Sequence, residues 1–132
     1  LHQPAHRDRI RFETRNGKLR NLLHPSVPQL AADAVRTLHT RAQSAPAPRP
    51  LGQVISHTGG RDVLKALEHA LPGQDFSSSI DVLHRFGNMS SPSVLFALED
   101  ALKRGQPDAN SDWWLVSFGA GFSAHACRFG VG

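Results

Sequence analysis

Cysteine is almost absent from this chain: Cys127 is the only one in 132 residues. No internal disulfide can therefore form, which suits a reducing compartment, and the expected location is the cytoplasm. Tyrosine is missing altogether, and aromatic residues make up only 7% of the chain. That leaves no row of aromatics on which nucleobases would stack. No apolar run approaches the ~18 residues of a membrane span, and residues 1–11 are too charged for a signal peptide, so no membrane partner is expected. Clustered metal ligands are also lacking. His2 and His6 are the only histidines spaced i, i+4, and no cysteine or carboxylate cluster completes a site.

What is present is a hydrophobic fraction of 39%, enough for a real core in a chain the size of one domain. The chain starts on Leu1 rather than Met, as a processed or fragmentary sequence does. Fifteen Lys and Arg against eleven Asp and Glu leave a net charge of +4. The excess lies before Arg49, in Arg7, Arg9, Arg11, Arg15, Lys18, Arg20, Arg36 and Arg41. These are interleaved with Asp8, Glu13 and Asp33, which reads as a solvated surface, with a phosphate-bearing small molecule second and no nucleic-acid partner.

Periodicity then orders the elements. Residues 9–14 alternate polar and apolar, as a half-buried strand does. Arg15-Asn16-Gly17 follows, and Asn-Gly is a strong hairpin signal, with residues 18–23 as the returning strand. Residues 25–43 carry Val27, Leu30, Ala31, Ala34, Val35 and Leu38 at helical spacing, with Ser26 or Pro28 near the start. An Ala/Pro connector at 44–50 breaks the pattern. Residues 51–55 form a short apolar strand and residues 61–71 a helix stopped by Pro72-Gly73. A short helix at 77–85 and another from Pro92 to Gly105 follow, then strands at 113–118 and 122–129 about a Gly119-Ala120-Gly121 turn. The fold class is α/β or α+β, without internal repeats.

Two positions hold polar residues that the elements do not ask for. His57 follows an apolar strand and precedes Gly59-Gly60 at the start of a helix, the kind of place where α/β folds gather ligands. Asn88 lies in the small-residue loop Gly87-Asn88-Met89-Ser90-Ser91-Pro92, and its amide is a donor that cannot titrate away. Each has a plainer reading, His57 as a satisfied structural histidine and Asn88 as a turn residue in a left-handed backbone. Spacing does not choose between them.

Three segments carry a resemblance further: Ser56-His57-Thr58-Gly59-Gly60, Arg85-Phe86-Gly87-Asn88-Met89-Ser90-Ser91 with its continuation Pro92-Ser93-Val94-Leu95-Phe96, and Ser117-Phe118-Gly119-Ala120-Gly121-Phe122. In order and spacing the chain resembles the C-terminal part of type III polyketide synthases, the chalcone/stilbene synthase-like family. Gly17-Lys18-Leu19-Arg20-Asn21 and Val27-Pro28 resemble its bacterial alkylresorcinol-type members. The resemblance implies a thiolase-like fold, here the C-terminal half of a layered αβαβα architecture spanning residues 1–132. It implies His57 and Asn88 as the His and Asn of a Cys-His-Asn triad, with Ser90, Phe118, Gly119, Ala120 and Gly121 shaping the pocket and cyclisation loop. The implied reaction condenses an acyl-CoA starter with malonyl-CoA by decarboxylative Claisen chemistry and cyclises the product to a resorcinol or pyrone. No cofactor is implied beyond coenzyme A thioesters as substrates, and the full-length enzyme is expected to be a homodimer.

The departures are specific. Thr58 replaces a proline usual after the His, Ala120 stands where plant enzymes have proline, and Gln53 lies where an aromatic residue is common. The family's nucleophilic cysteine belongs to an N-terminal half that this sequence does not contain, so the 132 residues alone are expected to be inactive. Cys127 has His125 two residues away, hence on the same strand face, but a lone cysteine here is expected to be buried and structural. Two rivals stand beside the main reading: another thiolase-fold condensing enzyme of the ketoacyl synthase III sort, and a non-catalytic half serving as a structural subunit.

Overall fold

The computed structural model describes residues 1–44 and 49–130. Most of the Ala/Pro connector, residues 45–48, lies outside them. The chain opens with a single 3₁₀ turn, Pro4–His6, then an antiparallel hairpin of β1 (Ile10–Arg15) and β2 (Lys18–Leu23). Its two-residue loop holds Asn16 at φ 53° and Gly17 at φ 71°, the left-handed pair that a type I′ turn needs and that Asn-Gly supplies. Helix α1 (Val27–Gln43) follows, with Pro28 in its first turn, where a missing N–H costs nothing.

A three-stranded sheet forms the centre, in the order β3 (Leu51–Ser56), β4 (Asp112–Gly119), β5 (Ser123–Phe129). β3 and β4 run parallel, and β4 and β5 antiparallel. The crossover between β3 and β4 carries three helices, α2 (Arg61–Ala70), α3 (Ser77–Phe86) and α4 (Pro92–Arg104). Every strand and helix expected from periodicity is present, with ends moved by one or two residues. Phe122, expected as the first residue of the last strand, is one of these end residues. It sits in the β4–β5 turn at φ 45°, because a non-glycine residue in that conformation cannot continue the strand ladder.

At β3 and β4 the sheet is covered on both faces, as the consecutive buried Trp113 and Trp114 of β4 require. On one face Val54, Trp114 and Val116 pack against Val35 of α1 and Leu64 and Leu67 of α2. On the other, Ile55 and Trp113 meet Val82 of α3 and Ala97 and Ala101 of α4. A smaller cluster around Ala34, Phe122 and Ala124 ties α1 to the start of β5. There the first residues add a short antiparallel rung: the Leu1 amine donates to the Ala124 carbonyl, and Ala124 N–H returns a bond to Leu1.

The outer edge of β3 is sealed by α3 and the turn before it. Val54 N–H donates to the Asp75 carbonyl at 2.9 Å. The buried Gln53 amide reaches Ser78 Oγ at 3.2 Å, which accounts for an amide in place of an aromatic residue: the serine hydroxyls opposite it need a partner.

The expectation that Cys127 is buried fails. β5 is the last strand, and α4 lies over β3 and β4, so the β5 face bearing His125, Cys127 and Phe129 is left open and all three residues are exposed. The basic residues of the first half behave as a solvated surface, with Arg20 paired to Glu13 at 3.2 Å and Arg36 to Asp33 at 2.7 Å. His2 bridges to Ser123, and His6 stands edge-on to Phe122. Among the described residues no helix is long and apolar enough to cross a membrane.

Candidate active site

His57 is placed by the end of β3. Its main-chain N–H donates to the Val116 carbonyl at 2.7 Å, which carries the β3–β4 ladder one residue past the strand. Ser56 Oγ donates to the His57 carbonyl at 2.9 Å. Gly59 and Gly60 then turn the chain into α2 at φ 49° and 115°. A side chain on Gly59 would crowd Val63, its Cβ lying 3.0 Å from Val63 Cγ1, so glycine is what lets the loop lie on the helix's first turn.

Asn88 comes from the loop between α3 and α4. Gly87 ends α3 at φ 71°. The left-handed non-glycine residue of this loop is Ser90, at φ 63°, and not Asn88. The turn-residue reading of Asn88 is thereby corrected: its side chain braces the turn while Ser90 bends the backbone. Ser90 N–H donates to Asn88 Oδ1 at 2.9 Å. A main-chain N–H can be met only by the amide oxygen, so the bond fixes the orientation of the amide and leaves Nδ2 as the outward donor.

His57 and Asn88 line one cavity of about 390 Å³ together with Ser90, Phe118, Gly119 and Ala120. Gly121 shapes the β4–β5 turn at φ 73° without lining the space. The cavity lies beyond the carboxyl ends of the parallel strands β3 and β4, where such folds bind ligands. Another wall comes from the hairpin, of which the segments carrying the resemblance include only Asn21 among the residues that line the cavity. Ile10, Phe12, Asn21 and Leu23 project from the hairpin into the same space. The pairings Ile10↔Leu23 and Phe12↔Asn21 put them on one hairpin face, and the alternation of apolar residues along β1 was the available signal.

The His57 ring is mostly buried, and burial holds its pKa below the ordinary imidazole value, with the Ser90 carbonyl pulling the other way. Nδ1 is buried and makes no hydrogen bond among the described residues. Thr58 is fully buried with its hydroxyl unpaired, and nothing in the structure explains the replacement. Cys127 takes no part in this cavity. With His125, Ser117, Leu115 and Val94 it lines a shallow groove on the opposite face of the sheet. A neutral imidazole and a fixed amide beside an apolar wall can donate hydrogen bonds to a developing oxyanion, and these residues contain no thiol positioned to attack it.

A family model described as 3-oxoacyl-[acyl-carrier-protein (ACP)] synthase III C terminal matches residues 42–130. The 1,3,6,8-tetrahydroxynaphthalene synthase of Streptomyces peucetius subsp. caesius is 42% identical over 79 residues, 58% of this chain and 21% of that protein. The 3-ketoacyl-CoA synthase 5 of Arabidopsis thaliana is 36% identical over 72 residues, 53% of this chain and 15% of that protein. The matched part of the chain thus spans between 15% and 21% of these two curated relatives. The solved 1,3,6,8-tetrahydroxynaphthalene synthase of Streptomyces coelicolor A3(2), described as a bacterial type III polyketide synthase, superposes with a TM-score of 0.85 at 25% identity, over 100% of this chain and 39% of that one. Sequence match and superposition agree on a thiolase-like fold: the chain belongs to the 3-oxoacyl-[acyl-carrier-protein] synthase III C-terminal family, and its structural neighbours are type III polyketide synthases.

Proposed function

We propose that this chain is the C-terminal part of a malonyl-CoA-using type III polyketide synthase, in which His57 and Asn88 are the oxyanion donors of the decarboxylative condensation. The observation that carries the reading is the shared cavity: a half-buried imidazole and an amide of fixed orientation, from two separate loops, line one space at the strand ends. As the malonyl C–C bond breaks and carbon dioxide leaves, its electron pair moves onto the thioester carbonyl and charge gathers on that oxygen. Donors fixed in position before the charge develops stabilise it more than water that must reorganise around it. The enolate carbon then attacks the acyl thioester, forms the new C–C bond and expels a thiolate. The acyl-carrying thiol comes from outside these residues.

The reading needs no resident cofactor, since the donors are protein groups, and takes acyl-CoA and malonyl-CoA as substrates. It extends to a cytoplasmic homodimer, to residues 1–132 as one domain and to a resorcinol- or pyrone-type product, with Phe118, Gly119, Ala120 and Gly121 shaping the cyclisation pocket.

A second reading follows from the family model and from the 3-ketoacyl-CoA synthase relatives: a condensing enzyme that releases a linear 3-ketoacyl product. The test is malonyl-CoA decarboxylation and product analysis in the intact protein that carries this chain. His57→Gln and Asn88→Ala should each lower the decarboxylation rate on the order of 10²–10³-fold with the fold intact, and near-wild-type turnover in both would sink the assignment. Cyclised products favour the polyketide reading. Linear products, or extender delivery by acyl carrier protein, favour the second. The 132 residues alone should show no condensation.

A further inference from the structure

The two faces of the β1–β2 hairpin differ in chemistry. One lines the active-site cavity with Ile10, Phe12, Asn21 and Leu23. Strand alternation turns Arg11, Glu13, Arg15, Lys18 and Arg20 to the other, in the pairs Glu13↔Arg20 and Arg15↔Lys18. The ladder runs one pair further, His24 N–H donating to the Arg9 carbonyl, so Arg9 shares this outer face. Its five cations against one acid equal the net charge of +4 of the whole chain, which leaves the rest of the molecule balanced.

Folding does not ask for this concentration. Arg15 and Lys18 stand directly opposite each other, a like-charge pair that weakens a hairpin. Glu13 is taken up by Arg20 at 3.2 Å, and Arg9 meets the His24 ring at 2.8 Å. Arg11, Arg15 and Lys18 are exposed and have no carboxylate partner among the described residues. From Arg9 to Arg15 the charge extends over roughly 20 Å of strand, too far for the clustered phosphates of one nucleotide. No Phe, Trp or Tyr stands on this face to stack a base. An acidic protein helix fits it better: carboxylates one turn apart lie about 6 Å from each other, close to the ~7 Å between alternate strand residues. A second recess of about 420 Å³, between His24 and Arg61, shares Leu23, Gly59 and Val63 with the active-site cavity. It opens beside the base of the hairpin and gives a flexible arm a way in.

We infer that the outer face of the hairpin docks an acidic carrier protein that brings the starter acyl group as a thioester on a flexible arm. This rests on the thioester chemistry proposed above and goes beyond it by giving the starter a protein donor, with malonyl-CoA still the extender. Opposite charge draws the carrier to the hairpin, and the face it covers backs directly onto the wall of the cavity.

The test uses the intact protein that carries this chain, with malonyl-CoA and a hexanoyl starter. The starter is supplied either on an acidic acyl carrier protein or as hexanoyl-CoA. Arg11→Glu combined with Arg15→Glu turns the like-charged pair at Lys18 into an attractive one, so the hairpin is not weakened there. This variant should raise KM for the carrier-borne starter at least about tenfold and leave hexanoyl-CoA within about twofold. Arg41→Glu combined with Lys65→Glu makes the same change in net charge on α1 and α2, and should leave both starters unaffected. Added salt should slow the carrier-borne reaction of the wild type more than that of the hairpin variant. Equal loss with both starters would assign the face to coenzyme A phosphates, and equal loss in the α1/α2 variant would assign the effect to overall charge. No loss with the carrier would remove the site. Each of these overturns the proposal.

A binding measurement separates the docking face from the proposed function. Fluorescently labelled hexanoyl carrier protein is titrated with the intact protein and then competed with a short DNA duplex. Binding that is lost in the hairpin variant and resists the duplex supports the proposal. A duplex that binds the same residues more tightly overturns it in favour of nucleic acid. Carrier binding in a protein that forms no condensation product would reject the thioester chemistry and leave the docking face standing. Product from hexanoyl-CoA without any carrier binding would do the reverse.

Discussion

The main-chain N–H of Ser56, the last residue of β3, donates to the hydroxyl of Ser79 in α3 at 2.8 Å, and both residues are fully buried. β3 has β4 on one side only, so this hydroxyl does for the free edge what a fourth strand would do. The bond lies one residue before His57 and therefore helps fix where the imidazole enters the cavity.

Ser79→Ala should then be costly for its size. It strands a buried N–H without water or a partner, a loss of about 1–3 kcal/mol, whereas Ser77→Ala at the half-buried start of α3 should cost under about 1 kcal/mol. Urea unfolding of the chain checks the difference. Equal small effects would mean that water replaces the hydroxyl.

Gly59→Ala is expected to destabilise by two separable routes. The left-handed φ of 49° costs an alanine about 1–2 kcal/mol, and the new Cβ meets Val63 Cγ1 at 3.0 Å. Adding Val63→Ala to Gly59→Ala removes the two Cγ contacts but leaves the Cβ of residue 63 at 3.1 Å and the backbone angle unchanged. A double-mutant cycle in urea should therefore show partial, not complete, recovery against Val63→Ala alone.

The pH dependence of stability has a definite sign. His57 titrates below the ordinary imidazole value because it is buried. His39, edge-on to Trp114 at 5.7 Å, does so through burial first and the nearby Arg128 charge second. A lowered pKa in the folded state means that the unfolded chain takes up each proton first as pH falls. Stability should be undiminished above the unfolded value of about 6.5 and decline as pH drops below it toward the folded values. Proton NMR should place both midpoints below about 6.5, and His57→Gln and His39→Gln should each flatten part of the decline in denaturant midpoint between about pH 7 and pH 5. A pH-independent midpoint across that range in wild type would contradict the partial burial of both rings.

Local patterns were legible where a single period or turn chemistry decides the outcome. Asn16-Gly17 yields the hairpin because both residues accept positive φ. Trp113 to Phe118 reads as a strand because it is apolar on both faces and must lie inside. The motif residues His57 and Asn88 were visible as polar residues at element ends, but the bond from Ser90 that orients the Asn88 amide was not, since nothing in the order Asn-Met-Ser specifies which of the three takes the left-handed angle. The hairpin wall of Phe12, Asn21 and Leu23 was missed for a related reason: alternation shows that a strand has two faces, not which neighbour each face meets.

By itself, then, the sequence determined the elements, their limits within a residue or two, the buried faces of α1 and α2 and the two loops where polar residues gather, because these follow from periods of 2 and 3.6 and from the few residues that tolerate unusual backbone angles. The apolar face read for the last helix held Leu95, which is exposed. Only the tertiary structure decided that the loops after β3 and α3 converge on one cavity, that the hairpin closes it, and that Cys127 lies exposed on the far side of the sheet. Those outcomes depend on which helix covers which strand. The packing energy that selects among such arrangements is spread over contacts between residues far apart in the chain, and no local pattern carries it.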